Sequence, residues 1–250
     1  MRLKIFWIAL GWLPAFAFAS VGNQHIANFS KAKKLATLLH SGHTETIYCG
    51  CKYQDKTIDL KSCGYKIQKD PKRASRLEWE HVVPAENFGR SFVEWREGAP
   101  QCVKQGKRFK GRKCAETNSE FNRMEADLYN LWPEIGELNG LRSNFSMEEL
   151  GAEKEKSSKF GECRVKIEGR KFEPEPQAKG RVARVYMYME LAYPGHGIVS
   201  DKNEKLYAAW DKLHPVDAWE CERARRIELI QKSENLVLKE RCEKLKTQEK

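Results

Sequence analysis

The 250 residues carry 45 Lys and Arg against 35 Asp and Glu, a formal net charge of +10, with 40% apolar residues. That length suits one large domain or two small ones. The charge points to polyanions such as nucleic acid, acidic polysaccharide or anionic membrane without choosing among them, and beyond the N-terminus no segment is apolar enough to span a bilayer.

Residues 1–19 stand apart. "MRLK" is basic, "IFWIALGWLPAFAFA" is an apolar run of about fifteen residues, and Ala17-Phe18-Ala19 precedes Ser20. This is the pattern of a cleaved secretory signal peptide. The run is short for a membrane anchor and Pro14 interrupts it. Cleavage takes Arg2 and Lys4 and lowers the +10 by two, to +8. The expected divisions are a signal peptide at 1–19, a single domain at 20–242 and a charged tail at 243–250, in a periplasmic or secreted protein.

Along the mature chain, "NFSKAKKLATLLH" (28–40) predicts a helix capped by Asn28 or Ser30, with Leu35, Leu38 and Leu39 on its apolar face. Residues 44–52 read as strand-like, bent at Cys49-Gly50-Cys51, and 64–70 as a second short strand. "RLEWEHVV" (76–83) alternates with a period of two, which sends Glu80 and His81 to opposite faces, and Pro84 ends it. The polar, basic stretch from 96 to 118 is a loop with Cys102 and Cys114 as its staple. "SEFNRMEADLYNLW" (119–132) has Phe121, Met124, Leu128 and Leu131 at helical spacing and is stopped by Pro133. "EIGELNGLRSNFS" follows as an ordered loop or short turn, and "FEPEPQAK" (172–179) as a proline-broken loop. Helices are predicted over 180–193, 203–214 and, as one charged stretch, 218–242. With no repeats and no linker, the class is α+β in a single mixed domain.

Eight cysteines, Cys49, Cys51, Cys63, Cys102, Cys114, Cys163, Cys221 and Cys242, follow the signal peptide. An even count in that context favours disulfides over zinc, whose sites want wider paired spacings than Cys49-Gly50-Cys51. Cys102–Cys114 and Cys221–Cys242 suit local loops; the remaining four pair among themselves in an order that stays open.

Glu80 and His81 lie side by side where the strand ends. A lone strand histidine is ordinarily structural, and Glu80 alone would pass for a surface ion pair. Downstream, however, "NGLRSN" supplies amide side chains and 96–118 supplies cations. Phosphodiester cleavage needs a neutral imidazole to take a proton from water. It also needs a hard divalent cation on oxygen ligands and a guanidinium to hold the phosphate. Trp79, Trp95 and Trp132 suit base stacking as well as core packing, and core packing is the expectation.

Together "EWEHVVPAENFG", "FKGRKC", "MEADLYNLWPEIGELNGLRSNF" and "PVDAWEC" closely resemble the bacterial endonuclease I family of periplasmic or secreted nucleases, from about residue 25 to 242. The resemblance implies a ββα-metal (His-Me finger) core held by disulfides. It implies a monomer that cuts double- and single-stranded DNA, and RNA, without sequence specificity, leaves 5′-phosphates and has no membrane partner. By residue, it makes His81 the general base and Arg112 the arginine at the scissile phosphate. Glu80 and Asn139 become the ligands of Mg2+, with Mn2+ or Ca2+ as alternative ions. Asn130 competes with Asn139 as a ligand and is otherwise a supporting residue near His81; Arg142 is a further phosphate-binding candidate.

The chain departs from the family at "QKSENLVLKERC", where members commonly carry a Gly-Asn-His-Asn-Pro-type segment, and at Tyr129, where some have histidine. Two rival functions remain. One is a catalytically inactive, basic nucleic-acid- or envelope-binding protein on the same scaffold. The other, a metal-independent histidine ribonuclease, would want a second acid–base histidine, and His25, His40, His43, His196 and His214 lie in stretches without a partner motif.

Overall fold

Asn28 opens the first helix. In the computed structural model, which describes residues 22–151 and 159–248, its side-chain oxygen accepts the Lys31 N–H at 2.9 Å and α1 runs Phe29–Leu39. The expected signal peptide lies outside the described residues. Ala32, Ala36 and Leu39 form the buried face of α1, and Leu38, expected inward, is exposed.

Residues 44–52 make turns and one isolated bridge, Glu45 to Lys52, rather than a strand. A small hairpin follows, β1 (Tyr53–Gln54) and β2 (Thr57–Ile58). The strand expected over 64–70 does not form. The backbone N–H groups of Gln68, Lys69 and Asp70 all donate to the Glu137 carboxylate, as does the Tyr65 hydroxyl. Donors held by a side chain cannot join a ladder. Asp70 then caps α2 (Pro71–Ala74).

β3 (Leu77–His81) is the predicted "LEWEH" strand. After Pro84 come α3 (Ala85–Gly89) and α4 (Val93–Arg96). The basic loop holds a hairpin, β4 (Val103–Lys104) and β5 (Lys107–Arg108), then α5 (Arg112–Ala115), and Cys102–Cys114 staples it around a small satellite core with Ala99 and Phe109.

The long helix expected over 119–132 is two elements. α6 spans only Ser119–Glu125, and a 3-10 turn at Leu128–Asn130 leads into β6 (Leu131–Ile135). Asp127 breaks the helix. Its Oδ1 accepts the Tyr129 N–H at 2.9 Å, and its Oδ2 accepts the hydroxyls of Tyr188 and Tyr193 at 2.8 and 2.7 Å. β6 pairs antiparallel with β3, His81 opposite Leu131 and Trp79 opposite Pro133. Among the described residues this sheet has two strands, so both are edges, where a proline is tolerated. The segment expected to be a loop is instead α7 (Gly136–Arg142), which starts directly at the end of β6.

A three-stranded sheet follows in the order β7 (Ser146–Met147), β9 (Lys171–Glu173), β8 (Lys166–Glu168), with β7 parallel to β9. The prolines of "FEPEPQAK" do not make a loop: Phe172 and Glu173 lie in β9, and Pro176 occupies the first turn of α8 (Pro176–Ala192), where its missing N–H costs nothing. α8 is buried over most of its length and packs on α9 (Asp201–Leu213). The stretch 218–242 divides at Lys232, in the left-handed region (φ 58°), into α10 (Ala218–Gln231) and α11 (Leu236–Gln248). Residues 243–248, expected as a tail, continue α11. One main core joins helices and sheets in a single mixed domain. The four open cysteines pair as Cys49–Cys163 and Cys51–Cys63, and Cys221–Cys242 joins α10 to α11.

Candidate active site

β3 has β6 on one side and, beyond Leu77, no strand partner on the other among the described residues. A groove of about 1030 Å³ runs along that open edge. Because it follows an edge rather than a face, it touches both Glu80 and His81, which alternation alone would separate. Asn139, Arg112 and Glu78 line the same groove, and Lys33, Lys34, Lys56, Arg73 and Arg76 make it strongly cationic.

His81 is the last residue of β3 and is 8% exposed. Its Nε2 lies 2.8 Å from the Glu125 backbone carbonyl oxygen. A carbonyl only accepts, so Nε2 carries the proton and Nδ1 is the basic nitrogen. Burial, and then the nearby Arg112 guanidinium, push the imidazole pKa down to about 3, so the ring is neutral at ordinary pH. The Phe29 ring packs on it at 4.6 Å between centroids, and Arg112 lies over the same ring at 5.4 Å.

Glu80 is buried. Its Oε1 accepts the Tyr48 hydroxyl at 2.9 Å and lies 3.1 Å from Arg142 Nη1. Burial raises its pKa to about 7 against the opposing pull of Arg142 and Tyr48. Asn139 projects from α7, and its Nδ2–H donates to Glu78 Oε2 at 3.1 Å. Neither Glu80 Oε2 nor Asn139 Oδ1 takes a hydrogen bond from a described residue. Two oxygens of this type, borne by a carboxylate and an amide, are the donor set that a hard divalent cation accepts.

Arg112, the first residue of α5, is 41% exposed along its side chain and donates its Nε–H to the buried Glu125 carboxylate. Asn130 is fully buried outside the groove. Its Oδ1 accepts the Val83 N–H at 2.7 Å and its Nδ2–H donates to the Val83 carbonyl at 2.9 Å, which braces the chain just past His81. Arg142 does not reach out to a phosphate. It is 1% exposed and donates to the carbonyls of His81 and Val82 while pairing with Glu80. It is a strut beneath the strand end: with the Ser143 carbonyl and the Tyr186 hydroxyl added, five oxygens surround one guanidinium and leave no free fork for a ligand. Trp132 is buried as expected, and Trp79 and Trp95 pack partly buried against the core while also lining the groove.

Sequence reasoning passed over Glu125, Tyr48, Phe29 and Glu78. Only Glu78 carried a local signal, standing two residues before Glu80 and therefore on its face of β3. The remaining compact His/Cys/Asp/Glu group among the described residues, Cys49, Cys163 and Glu175, is no metal centre, because both cysteines are in a disulfide.

Residues 23–241 match the endonuclease I family profile. The chain is 38% identical over 226 residues to an extracellular deoxyribonuclease of Aeromonas hydrophila, covering 88% of this chain and 92% of that one. It is 40% identical over 225 residues to Endonuclease-1 of Buchnera aphidicola subsp. Acyrthosiphon pisum, covering 88% and 83%. To a periplasmic deoxyribonuclease of Aeromonas hydrophila it is 37% identical over 228 residues, covering 88% and 89%. The chain belongs to the endonuclease I family, and it is a nuclease enzyme. No helix among the described residues is long and apolar enough to cross a membrane.

Proposed function

We propose that this chain, after removal of residues 1–19, is a periplasmic or secreted endonuclease that hydrolyses DNA and RNA phosphodiesters without sequence specificity and leaves 5′-phosphate ends. The observation that carries this reading is that one cationic groove brings together a buried neutral imidazole, two unengaged oxygen donors and an exposed guanidinium. The names of the Aeromonas hydrophila relatives support DNA as substrate and export as destination.

β3, β6 and α7 are two antiparallel strands followed by a helix, which supports a ββα-metal core with His81 and Glu80 on the first strand and Asn139 on the helix. His81 Nδ1 takes the proton of the attacking water while the Glu125 carbonyl holds Nε2–H and so fixes the tautomer. The water oxygen bonds to phosphorus in line with the 3′-oxygen, which departs. Arg112 holds the non-bridging oxygens, and its pairing with Glu125 keeps it within reach of the base. A divalent cation such as Mg2+, held by Glu80 and Asn139, would neutralise charge on the transferring phosphate and on the departing oxygen. Phosphate contacts carry no base information, which agrees with cutting irrespective of sequence.

Plasmid digestion tests this. Cleavage should require a divalent ion, stop with EDTA, and fall about 10²- to 10⁴-fold in His81→Ala, the range of a lost general base. Full cleavage by either metal-stripped protein or His81→Ala would refute the mechanism. Tight DNA binding without cleavage in millimolar Mg2+ would favour the inactive binding protein.

A further inference from the structure

Glu78 takes no part in the steps above, yet it is tied to Asn139 more firmly than any other side chain in the groove. Its Oε2 accepts the Asn139 Nδ2–H at 3.1 Å. Two arginines hold the carboxylate from the other side. Arg73 forms a two-point pair, Nε to Oε1 at 3.0 Å and Nη2 to Oε2 at 2.8 Å, and Arg76 adds an Nη2–H to Oε1.

α7 is shaped for this arrangement. A Cβ at Gly136 would stand 2.6 Å from the Arg73 carbonyl oxygen and 2.8 Å from that of Arg76, and a Cβ at Gly140 would collide with the Arg73 guanidinium. Residues four apart share a helix face, so α7 presents bare backbone to the Arg73–Arg76 segment, with Asn139 beside it. The glycines let the helix come close enough for Asn139 to meet Glu78.

The orientation of the amide follows. A carboxylate paired with two guanidiniums is an acceptor only, so Asn139 must turn its NH2 toward Glu78, and Oδ1 faces the other way. Rotated by half a turn, the amide would set two oxygens against each other and present an N–H to an incoming cation. We propose that Glu78, locked by Arg73 and Arg76, is a positioning residue that fixes the Asn139 amide so that Oδ1 serves as the divalent-cation ligand. This rests on Asn139 being a ligand, as set out under Proposed function.

The test is Mn2+ titration of the full mature chain without nucleic acid, followed by calorimetry or by electron paramagnetic resonance of free Mn2+. Glu78→Gln should weaken Mn2+ binding roughly 10- to 100-fold, as loss of a residue supporting a metal ligand does. In the Asn139→Ala background Glu78→Gln should cost nothing more, because the group it orients is gone. At saturating Mn2+, kcat on plasmid DNA should recover in Glu78→Gln. If Glu78→Gln does not fold, Arg76→Ala, on the exposed side of the clamp, should give a several-fold loss that Asn139→Ala again abolishes. Unchanged Mn2+ affinity in Glu78→Gln overturns the proposal. So does an undiminished loss in the Asn139→Ala background, which would mean that Glu78 acts on the ion directly. Asn139→Ala alone leaving Mn2+ affinity intact would instead remove the ligand assignment beneath it, a separate result from the Glu78→Gln measurement.

Discussion

His81 and Glu125 are joined by a hydrogen bond from the ring Nε2 to the Glu125 backbone carbonyl at 2.8 Å, while the Glu125 carboxylate takes the Nε–H of Arg112. One residue at the end of α6 thus holds both the imidazole and the guanidinium, the first through its backbone and the second through its side chain. Glu125→Gln keeps the carbonyl and removes the ion pair. Arg112 should lose its anchor, and kcat/KM on plasmid DNA should fall roughly 10- to 100-fold, the scale set by ångström misplacement of a positioned group. The circular dichroism spectrum should stay that of the parent. Unchanged activity would show that Arg112 needs no anchor.

Arg142 predicts a loss of stability rather than a loss of substrate contact. Arg142→Met leaves the Glu80 carboxylate buried without its cation and strips a donor from the carbonyls of His81 and Val82. Breaking such a pair by removing one partner costs about 3–5 kcal/mol. Urea unfolding should register a loss on that scale, and Glu80→Gln in the same chain should restore part of it. A variant as stable as the parent would contradict the strut.

Acid should act through His81. Its folded pKa of about 3 lies below the ordinary histidine value near 6.5. Between those values the unfolded chain binds a proton that the folded chain does not, so stability is full above about 6.5 and falls as pH drops toward 3. Buried His40 shifts in the same direction. Glu80 and Glu134, raised to about 7 and 8, work the opposite way: their folded forms hold protons longer, so their share of stability is lost as pH rises through those values. Comparison with His81→Asn isolates the histidine. Roughly 2 kcal/mol of the parent's advantage should disappear between pH 6.5 and 5, read from urea midpoints at each pH. A constant gap would mean that His81 titrates normally.

Polyanion binding should be steeply salt-dependent. His81→Ala in EDTA allows DNA affinity to be measured without cleavage. Each phosphate contact adds close to one unit to the slope of log affinity against log salt. Lys34→Ala, removing a cation from the groove wall, should lower that slope by about one and weaken all sequences alike. A sequence-dependent loss would point to base readout at that position.

Local signals served best where the deciding atoms are neighbours in the chain. Asn28 caps α1 three residues ahead, and Pro84 follows the β3 strand that the two-residue alternation marks. The family resemblance marks Glu80, His81, Arg112 and Asn139, and all four meet in one groove. The errors share a cause. Helical spacing over 119–132 was real, but Asp127 is claimed by tyrosines 61 and 66 residues away, and the chain turns there into β6. The "GELNG" stretch reads as a loop or short turn, yet its glycines are what allows α7 to lie against Arg73 and Arg76.

The amino-acid order alone determined the chemistry on offer, the family and the caps and stops of several elements, because each depends on residue type or on contacts within a few positions. Only the tertiary structure decided which groups stay available. It buried Arg142 as a strut, left Arg112 half open on Glu125, paired Cys49 with Cys163 across 114 residues and turned the Asn139 amide toward Glu78. Availability depends on what else packs against a group, and those neighbours come from distant parts of the chain.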